Sequence, residues 1–350
     1  MTSWMIYGAY GYTGKLIAQE AKNRGHAPII AGRSEEKLLP MVENLDLDYK
    51  ILDLEDDKNL VKILGDVDLV FHAAGPFKYT SEPMVKACLK TRTNYVDITG
   101  EVQIFEQNFK YDKNAIEKKI AIISGVGFDV VPTDCLAKYV SEKLSKPISL
   151  DLGITAMSNP SPGTLKTMLE YFHTGQLIRR DGELIRLRKD DIRKIRFSDK
   201  ERLVRPVTWG DLATAYRTTR IPNITTYMPL PKKFPNLLQS IGVSTNDMNE
   251  NEASKKKVKE WIETNIHGPD QIKRETYRCY LWAQVINQKG ENAQAWVETM
   301  ESYQFTAVAG VRCVEKLLKL KPVGVLTPAL AFGADFLLEI PETTRIDSID

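Results

Sequence analysis

Glycines stand at positions 8, 11 and 14 in the run MIYGAYGYTGKL, directly after an apolar stretch and directly before a helix-like one. A chain that turns from a strand into a helix and lets an anion touch the first helical amides needs residues without a Cβ at the contact. Gly8, Gly11 and Gly14 would supply the turn, the close approach and the tight helix–strand packing. Their GxxGxxG spacing is one residue off the GxGxxG dinucleotide fingerprint. A plain turn could use the same glycines. Their place after a first strand, at the head of further strand–helix units, favours a pyrophosphate cradle, with Tyr10, Tyr12 and Thr13 as cofactor neighbours.

The second strand ends IIAGRS, with Arg33 and Ser34 where an NAD enzyme usually carries an acid for the ribose hydroxyls. An arginine fork and a hydroxyl suit the additional 2′-phosphate of NADP, and Lys37 one turn on could add to it. The alternative is a surface arginine followed by a helix cap. Asp53, at the end of a third strand, could accept from the adenine amino group or hold an ordinary turn. Three acids follow later strands: Asp97 and Glu101 in YVDITGE, and Asp129 in GFDVVPTD. Each could exchange the proton that accompanies hydride transfer, provided burial raises its pKa toward neutrality. Equally, Asp97 and Glu101 could cap a helix beginning near Glu101, and Asp129 could hold its own turn.

Other constellations compete. Ser124 ends a strand, and Tyr139 and Lys143 form a YxxxK on the next helix, the order of a short-chain dehydrogenase site in which tyrosine is the acid. With 14 tyrosines in a lysine-rich chain, one such spacing is expected by chance. The four histidines (26, 72, 173 and 267) have no metal-ligand spacing, so no metal site is predicted. Arg179 to Arg205 is strongly basic and reads as a solvated face or an anionic-substrate surface. Tyr171, Phe172, Trp209, Tyr216 and Tyr227 could line an apolar substrate pocket or simply pack.

The elements that must position these residues alternate strand and helix through about residue 145, which predicts a Rossmann-type, parallel, doubly wound α/β sheet. One helix is expected from Glu101 to about Lys119. After residue 145 the pattern changes to α+β with a mainly antiparallel sheet. Two long strands, IKRETYRCYLWAQVIN and NAQAWVETM, joined at QKGE, form a hairpin that either covers the substrate cleft or meets a partner subunit. The expected division is a nucleotide-binding domain over 1–145, a substrate or dimerisation domain over 146–302, and a segment 303–350 that returns to the first. NDMNENEASKKKVKE reads as an exposed loop entering a surface helix. A net charge of +2 excludes broad nucleic-acid attraction. Four well-separated cysteines suit buried thiols in a reducing compartment. No signal-like start or bilayer-length apolar run is present, so a cytoplasmic protein is expected.

The linked motifs GAYGYTG, AGRSEEKL, AAGPF (73–77), YVDITGE (95–101), GVGFDVVPTD (125–134) and TAYRTTRIPNITTY (214–227), with GVLTPALAFGADFLLEIP near the C-terminus, resemble the saccharopine dehydrogenase-like oxidoreductases, which include trans-acting enoyl reductases. The resemblance covers nearly the whole chain. It implies that the glycine ladder and GRS segment hold NADP(H), that Ala74, Gly75, Pro76 and Phe77 lie near the nicotinamide, and that hydride passes to a C=N or polarised C=C bond of a small imine or acyl-type substrate. A non-catalytic NADP-binding sensor, or an atypical short-chain enzyme using Ser124, Tyr139 and Lys143, are the alternatives.

Overall fold

The computed structural model describes residues 3–155, 159–171, 175–188, 191–230 and 252–349. Its first half alternates β1 (Trp4–Tyr7), α1 (Tyr12–Asn23), β2 (Ile29–Gly32), α2 (Glu35–Leu45), β3 (Tyr49–Ile51), α3 (Asp57–Leu64), β4 (Leu69–His72), α4 (Phe77–Thr91), β5 (Asn94–Asp97), α5 (Val102–Phe109), α6 (Asp112–Lys118), β6 (Ala121–Ile123) and α7 (Val131–Glu142). The strands are parallel in the order β6-β5-β4-β1-β2-β3. The order reverses between β1 and β4, and a doubly wound sheet opens a ligand crevice at that point. Period-2 alternation places Trp4 and Ile6 in one buried cluster and Met5 and Tyr7 in another. Both faces are therefore covered, as a parallel sheet requires.

The second sheet is mixed, with the same alternation of exposure along its strands. It contains β7 (Pro147–Thr155), β8 (Leu177–Arg180), β9 (Glu183–Arg186), β10 (Arg193–Arg196), β11 (Glu201–Pro206), β12 (Asn223–Pro229), β13 (Arg278–Asn287) and β14 (Asn292–Met300). Among the described residues of this sheet only β12 and β7 pair in parallel; their other partners run antiparallel. Between its strands lie α8 (Pro162–Glu170), capped by the Ser161 hydroxyl, and α9 (Asp211–Thr219).

The last segment serves both sheets. The helix Ser302–Leu320 lies along α1, with Gly310 against the Phe71 ring so closely that a Cβ would stand 2.7 Å from it. β15 (Gly324–Leu326) extends the parallel sheet beside β6, whereas β16 (Thr344–Ile346) pairs with β14 at the edge of the second sheet.

Two elements differ from the sequence reading. The helix expected over 101–119 is two helices, α5 and α6. The break at Lys110–Tyr111 coincides with Asp112, whose carboxylate binds the Val325 amide and the Arg217 guanidinium. The first part of the expected strand IKRETYRCYLWAQVIN is a short helix, Gln271–Thr276, because Asp270 accepts from the Lys273 amide and caps it. The loop expected over NDMNENE lies outside the described residues up to Asn251, and the helix Glu252–Asn265 follows. Among the described residues no helix is long and apolar enough to cross a membrane.

Candidate functional site

The glycine ladder sits at the strand-order reversal. Gly8 has φ +85°, a backbone that favours glycine, and a Cβ there would meet Ala74 Cβ at 2.7 Å. Gly14 is still tighter: a Cβ would stand 2.3 Å from the Gly8 carbonyl oxygen. These two glycines are required by the protein's own packing. At Gly11 the nearest atom would be the Gly8 carbonyl oxygen, at 3.2 Å, so its openness is available to a ligand at the first turn of α1. Thr13 occupies that turn, partly buried.

The two tyrosines of the ladder point to different places. The Tyr10 ring lies over Gly32, where a Cβ would be 2.4 Å from it, and the Lys37 ammonium stands 5.7 Å from the ring centroid. The Tyr12 hydroxyl donates to the Pro269 carbonyl at 2.6 Å, and the ring meets Tyr303 edge-on at 5.0 Å. Arg274 donates to both the Tyr12 oxygen and the Pro269 carbonyl. Tyr12 thus ties the cradle to the strap that precedes β13, a role its position in the motif does not announce.

Beyond Tyr10, Arg33 and Lys37 are exposed at the end of β2 and start of α2. Ser34 is the N-cap of α2, but its hydroxyl makes no capping hydrogen bond. Asp53 accepts from the Glu55 amide at 3.1 Å, holding a turn. The charges of Arg33 and Asp53 both bear on the Tyr7 hydroxyl, which places them on one rim.

Opposite the ladder, Ala74 accepts the Thr80 hydroxyl through its carbonyl, and Pro76 and Phe77 open α4. The Phe77 ring packs edge-on against His72 at 5.2 Å. What fixes this turn is Glu101. Its carboxylate accepts from the Phe77 amide at 2.7 Å and the Lys78 amide at 2.9 Å, and from the Tyr171 hydroxyl at 2.7 Å. A carboxylate at a helix N-terminus meets orphan amides and the positive end of the helix dipole. Glu101 therefore caps α4, not the helix that follows it in sequence, and its side chain makes no cap bond to α5.

Asp97 is fully buried and fully paired. Oδ1 accepts from the Thr99 and Gly125 amides, and Oδ2 from the Tyr95 and Ser124 hydroxyls. Burial raises its pKa and these four donors lower it. The network continues through Tyr95 to His72 Nδ1 at 3.1 Å and through Ser124 to Asn108. His72 is neutral, its pKa pushed down to about 3 by burial.

Asp129 differs. Its carboxyl packs against the backbone of Gly100, where a Cβ would be 2.3 Å from Oδ2, while Oδ1 is buried without a hydrogen-bond partner. The Trp209 indole N–H lies beside it, outside good hydrogen-bonding geometry. Burial raises the Asp129 pKa to about 8. The residue is only partly buried as a whole and follows β6, at the carboxyl edge of the sheet where the crevice lies.

The short-chain arrangement does not assemble. The Ser124 hydroxyl serves Asp97, whereas Tyr139 and Lys143, on the far turns of α7, both bind the Asp347 carboxylate at 2.9 and 2.6 Å. Of the aromatics, Tyr171 binds Glu101, Tyr216 stacks under Arg179, and Tyr227 stacks under Arg193. Phe172 lies outside the described residues. Much of the basic stretch is thus consumed by cation–π and ion pairs, including Arg193 with Asp151 and Arg179 with Glu106.

Residues 4–123 match the saccharopine dehydrogenase NADP binding domain. A saccharopine dehydrogenase-like oxidoreductase of Bos taurus is 29% identical over 177 residues, 45% of this chain and 41% of that protein. A trans-acting enoyl reductase of Mycobacterium bovis is 32% identical over 138 residues, 37% of this chain and 33% of that protein. These alignments span less than half the length of the relatives. Apo saccharopine dehydrogenase (L-Glu forming) from Saccharomyces cerevisiae shares the fold, with a TM-score of 0.65, 13% identity and coverage of 99% of this chain and 100% of that one. Over part of its length the chain is similar to the saccharopine dehydrogenase-like oxidoreductases, and the cofactor of its N-terminal domain is NADP(H). The residues present fit that group: a Cβ-free approach to a helix N-terminus at Gly11, and two exposed cations, Arg33 and Lys37, beside Tyr10 for a 2′-phosphate.

Proposed function

We propose that the chain is an NADPH-dependent reductase acting on a C=N or polarised C=C bond, with Asp129 as its proton donor. Gly8, Gly11 and Gly14, with Thr13, would hold the pyrophosphate. Arg33, Ser34 and Lys37 would take the 2′-phosphate, and Tyr10 the adenosine side. Ala74, Gly75, Pro76 and Phe77, braced by Glu101, would shape the nicotinamide side. When bound, NADPH supplies a hydride. The Asp129 carboxyl supplies the proton that the nitrogen, or the carbon next to the activating group, needs once its neighbour has taken the hydride, and is left as carboxylate.

The observation that carries this reading is the contrast among the three acids at the edge of the sheet. Asp97 has every lone-pair direction committed and Glu101 is spent on α4, but Asp129 keeps an unpaired oxygen and a proton at neutral pH. A general acid needs a pKa near the working pH and no competing partner. The enoyl reductase relative favours the C=C branch. NADPH oxidation across a panel of imines and enoyl thioesters tests the reading. Turnover of at least one class, lost by a hundredfold or more in Asp129→Asn with NADPH affinity unchanged, is the expected result. Binding of NADPH without oxidation of any would make the chain an NADP-binding protein without turnover.

A further inference from the structure

Helix α8 buries none of its residues, yet both its ends are bonded to parts of the chain that surround the nucleotide crevice. At its start the Tyr303 hydroxyl accepts from the Ser161 amide at 2.7 Å and meets the Thr164 hydroxyl at 2.8 Å. Tyr303 is the residue whose ring packs on Tyr12 of the ladder. At its end Glu170 accepts from the Tyr79 hydroxyl of α4 at 2.6 Å, and Tyr171, next in the chain, donates to Glu101 at 2.7 Å. Leu165 and Leu169 pack with Val258 and Ile262 of the helix Glu252–Asn265 in a small cluster of their own. Hydroxyl ties at both ends therefore hold α8 beside the turn Ala74–Phe77.

Thr164, Thr167 and Tyr171 recur at intervals of three and four residues, so they share one face of the helix. The first and last are engaged. Thr167, between them, faces Gly75: a Cβ there would stand 3.7 Å from Thr167 Oγ1 and 3.5 Å from the Phe77 ring, both ordinary contact distances. Gly75, the Phe77 ring and the Thr167 hydroxyl thus border one space. A helical threonine often spends its hydroxyl on the carbonyl four residues back, as Thr91, Thr219, Thr264 and Thr276 do here. Thr167 does not, and among the described residues its hydroxyl has no hydrogen-bond partner.

We propose that Thr167 binds the nicotinamide half of NADPH, through its ribose hydroxyls or its carboxamide, and that α8 is the second sheet's contribution to the cofactor site. The proposal rests on the turn Ala74–Phe77 lying on the nicotinamide side. Both candidate groups carry donors and acceptors, which a hydroxyl with one proton and two lone pairs can match. The ladder and Arg33 would grip the pyrophosphate and the adenosine end from the parallel sheet, and Thr167 would hold the half that carries the hydride. The ties at Tyr303 and Glu101 keep Thr167 in place, so Tyr171 is a positioning residue that acts through it.

The test is calorimetric titration of the full chain with NADPH and with adenosine 2′,5′-bisphosphate, which carries the 2′-phosphate but no nicotinamide. Thr167→Val keeps the side-chain shape and removes the hydroxyl. It should weaken NADPH about three- to tenfold, the worth of one hydrogen bond between neutral groups, and leave the bisphosphate unchanged. Thr167→Ser restores a hydroxyl and should bind NADPH within about twofold of the parent. Tyr171→Phe unties the far end of α8 and should weaken NADPH about threefold or more, again sparing the bisphosphate. Retained bisphosphate binding also shows that each variant is folded. Unchanged NADPH affinity in Thr167→Val, equal losses for the two nucleotides, or a loss in Thr167→Ser as large as in Thr167→Val overturns the contact. Unchanged NADPH affinity in Tyr171→Phe overturns the positioning role of the tie. An unmodified protein that does not bind the bisphosphate would overturn the nucleotide cradle itself, a different result from losing Thr167 alone.

Discussion

Asp97 and Asp129 follow adjacent strands of one sheet, and burial raises the pKa of both, yet their surroundings assign them opposite tasks. Asp97 receives two amides and two hydroxyls and joins the loops after β5 and β6. Asp129 receives nothing on Oδ1. Hydrogen bonds to the charged form favour the carboxylate and fix it in place, whereas burial without them favours a neutral acid with a proton to give. The difference shows that burial alone does not mark a catalytic acid. What marks it is burial with the partners withheld.

Removing Asp97 should produce the largest effect. Asp97→Ala strands the Thr99 and Gly125 amides and the Tyr95 and Ser124 hydroxyls inside the sheet edge. Each unsatisfied buried donor costs about 1–3 kcal/mol, and the costs are not additive. A loss on the order of 3 kcal/mol or more in denaturant unfolding is expected. A loss below about 1 kcal/mol would erase the distinction between the two acids.

The same comparison gives a pH signature. The folded pKa of Asp129 lies above its unfolded value, so between roughly pH 4 and pH 8 the native state holds a proton that the unfolded chain has released. Stability conferred by this group is therefore fully present below the unfolded pKa and is lost as pH rises through that window. The slope is at most about 1.4 kcal/mol per pH unit. Asp129→Asn should flatten it in unfolding curves taken across the window, and turnover in the unmodified protein should fall as pH passes about 8. A slope unchanged by the substitution would mean that Asp129 titrates normally.

The nucleotide edge was legible because its demands are local. A positive φ at Gly8 and a backbone–backbone contact at Gly14 admit no other residue comfortably, and both follow from three glycines between a strand and a helix. The proton side was not legible in the same way. Glu101 caps a helix that begins 24 residues before it, and Tyr12 reaches Pro269 across 257 residues. Asp270 as the cap of Gln271–Thr276 was readable in principle, but the β-rich run after it masked the signal.

Arg33 sharpens the comparison from the cofactor side, where charge is exposed and the effect correspondingly smaller. The 2′-phosphate of NADPH carries nearly two negative charges, and a guanidinium can meet it with a planar fork. Such a contact contributes roughly 1.5–3 kcal/mol, about ten- to a hundredfold in affinity. Arg33→Ala should weaken NADPH by that factor in a fluorescence or calorimetric titration and leave NADH nearly unchanged. Equal affinity of the unmodified protein for the two nucleotides would remove the selectivity.

The smallest effect belongs to the residue that most imitates a catalytic one. Tyr139 and Lys143 have the spacing of a short-chain dehydrogenase pair, but both converge on Asp347, just beyond β16. The lysine stands 4.5 Å from the tyrosine ring centroid and the Arg345 guanidinium 3.5 Å, so two cations that also face Asp347 pack on the ring. Tyr139→Phe keeps the ring and its cation–π contacts and removes one hydrogen bond to a carboxylate that retains Lys143. Surface contacts of this kind are worth about 0.2–1 kcal/mol. The variant should unfold within about 1 kcal/mol of the parent, bind NADPH equally and turn over at an unchanged rate. A hundredfold fall in turnover with the fold intact would transfer the proton from Asp129 to Tyr139 and undo the contrast between the two strand-end acids.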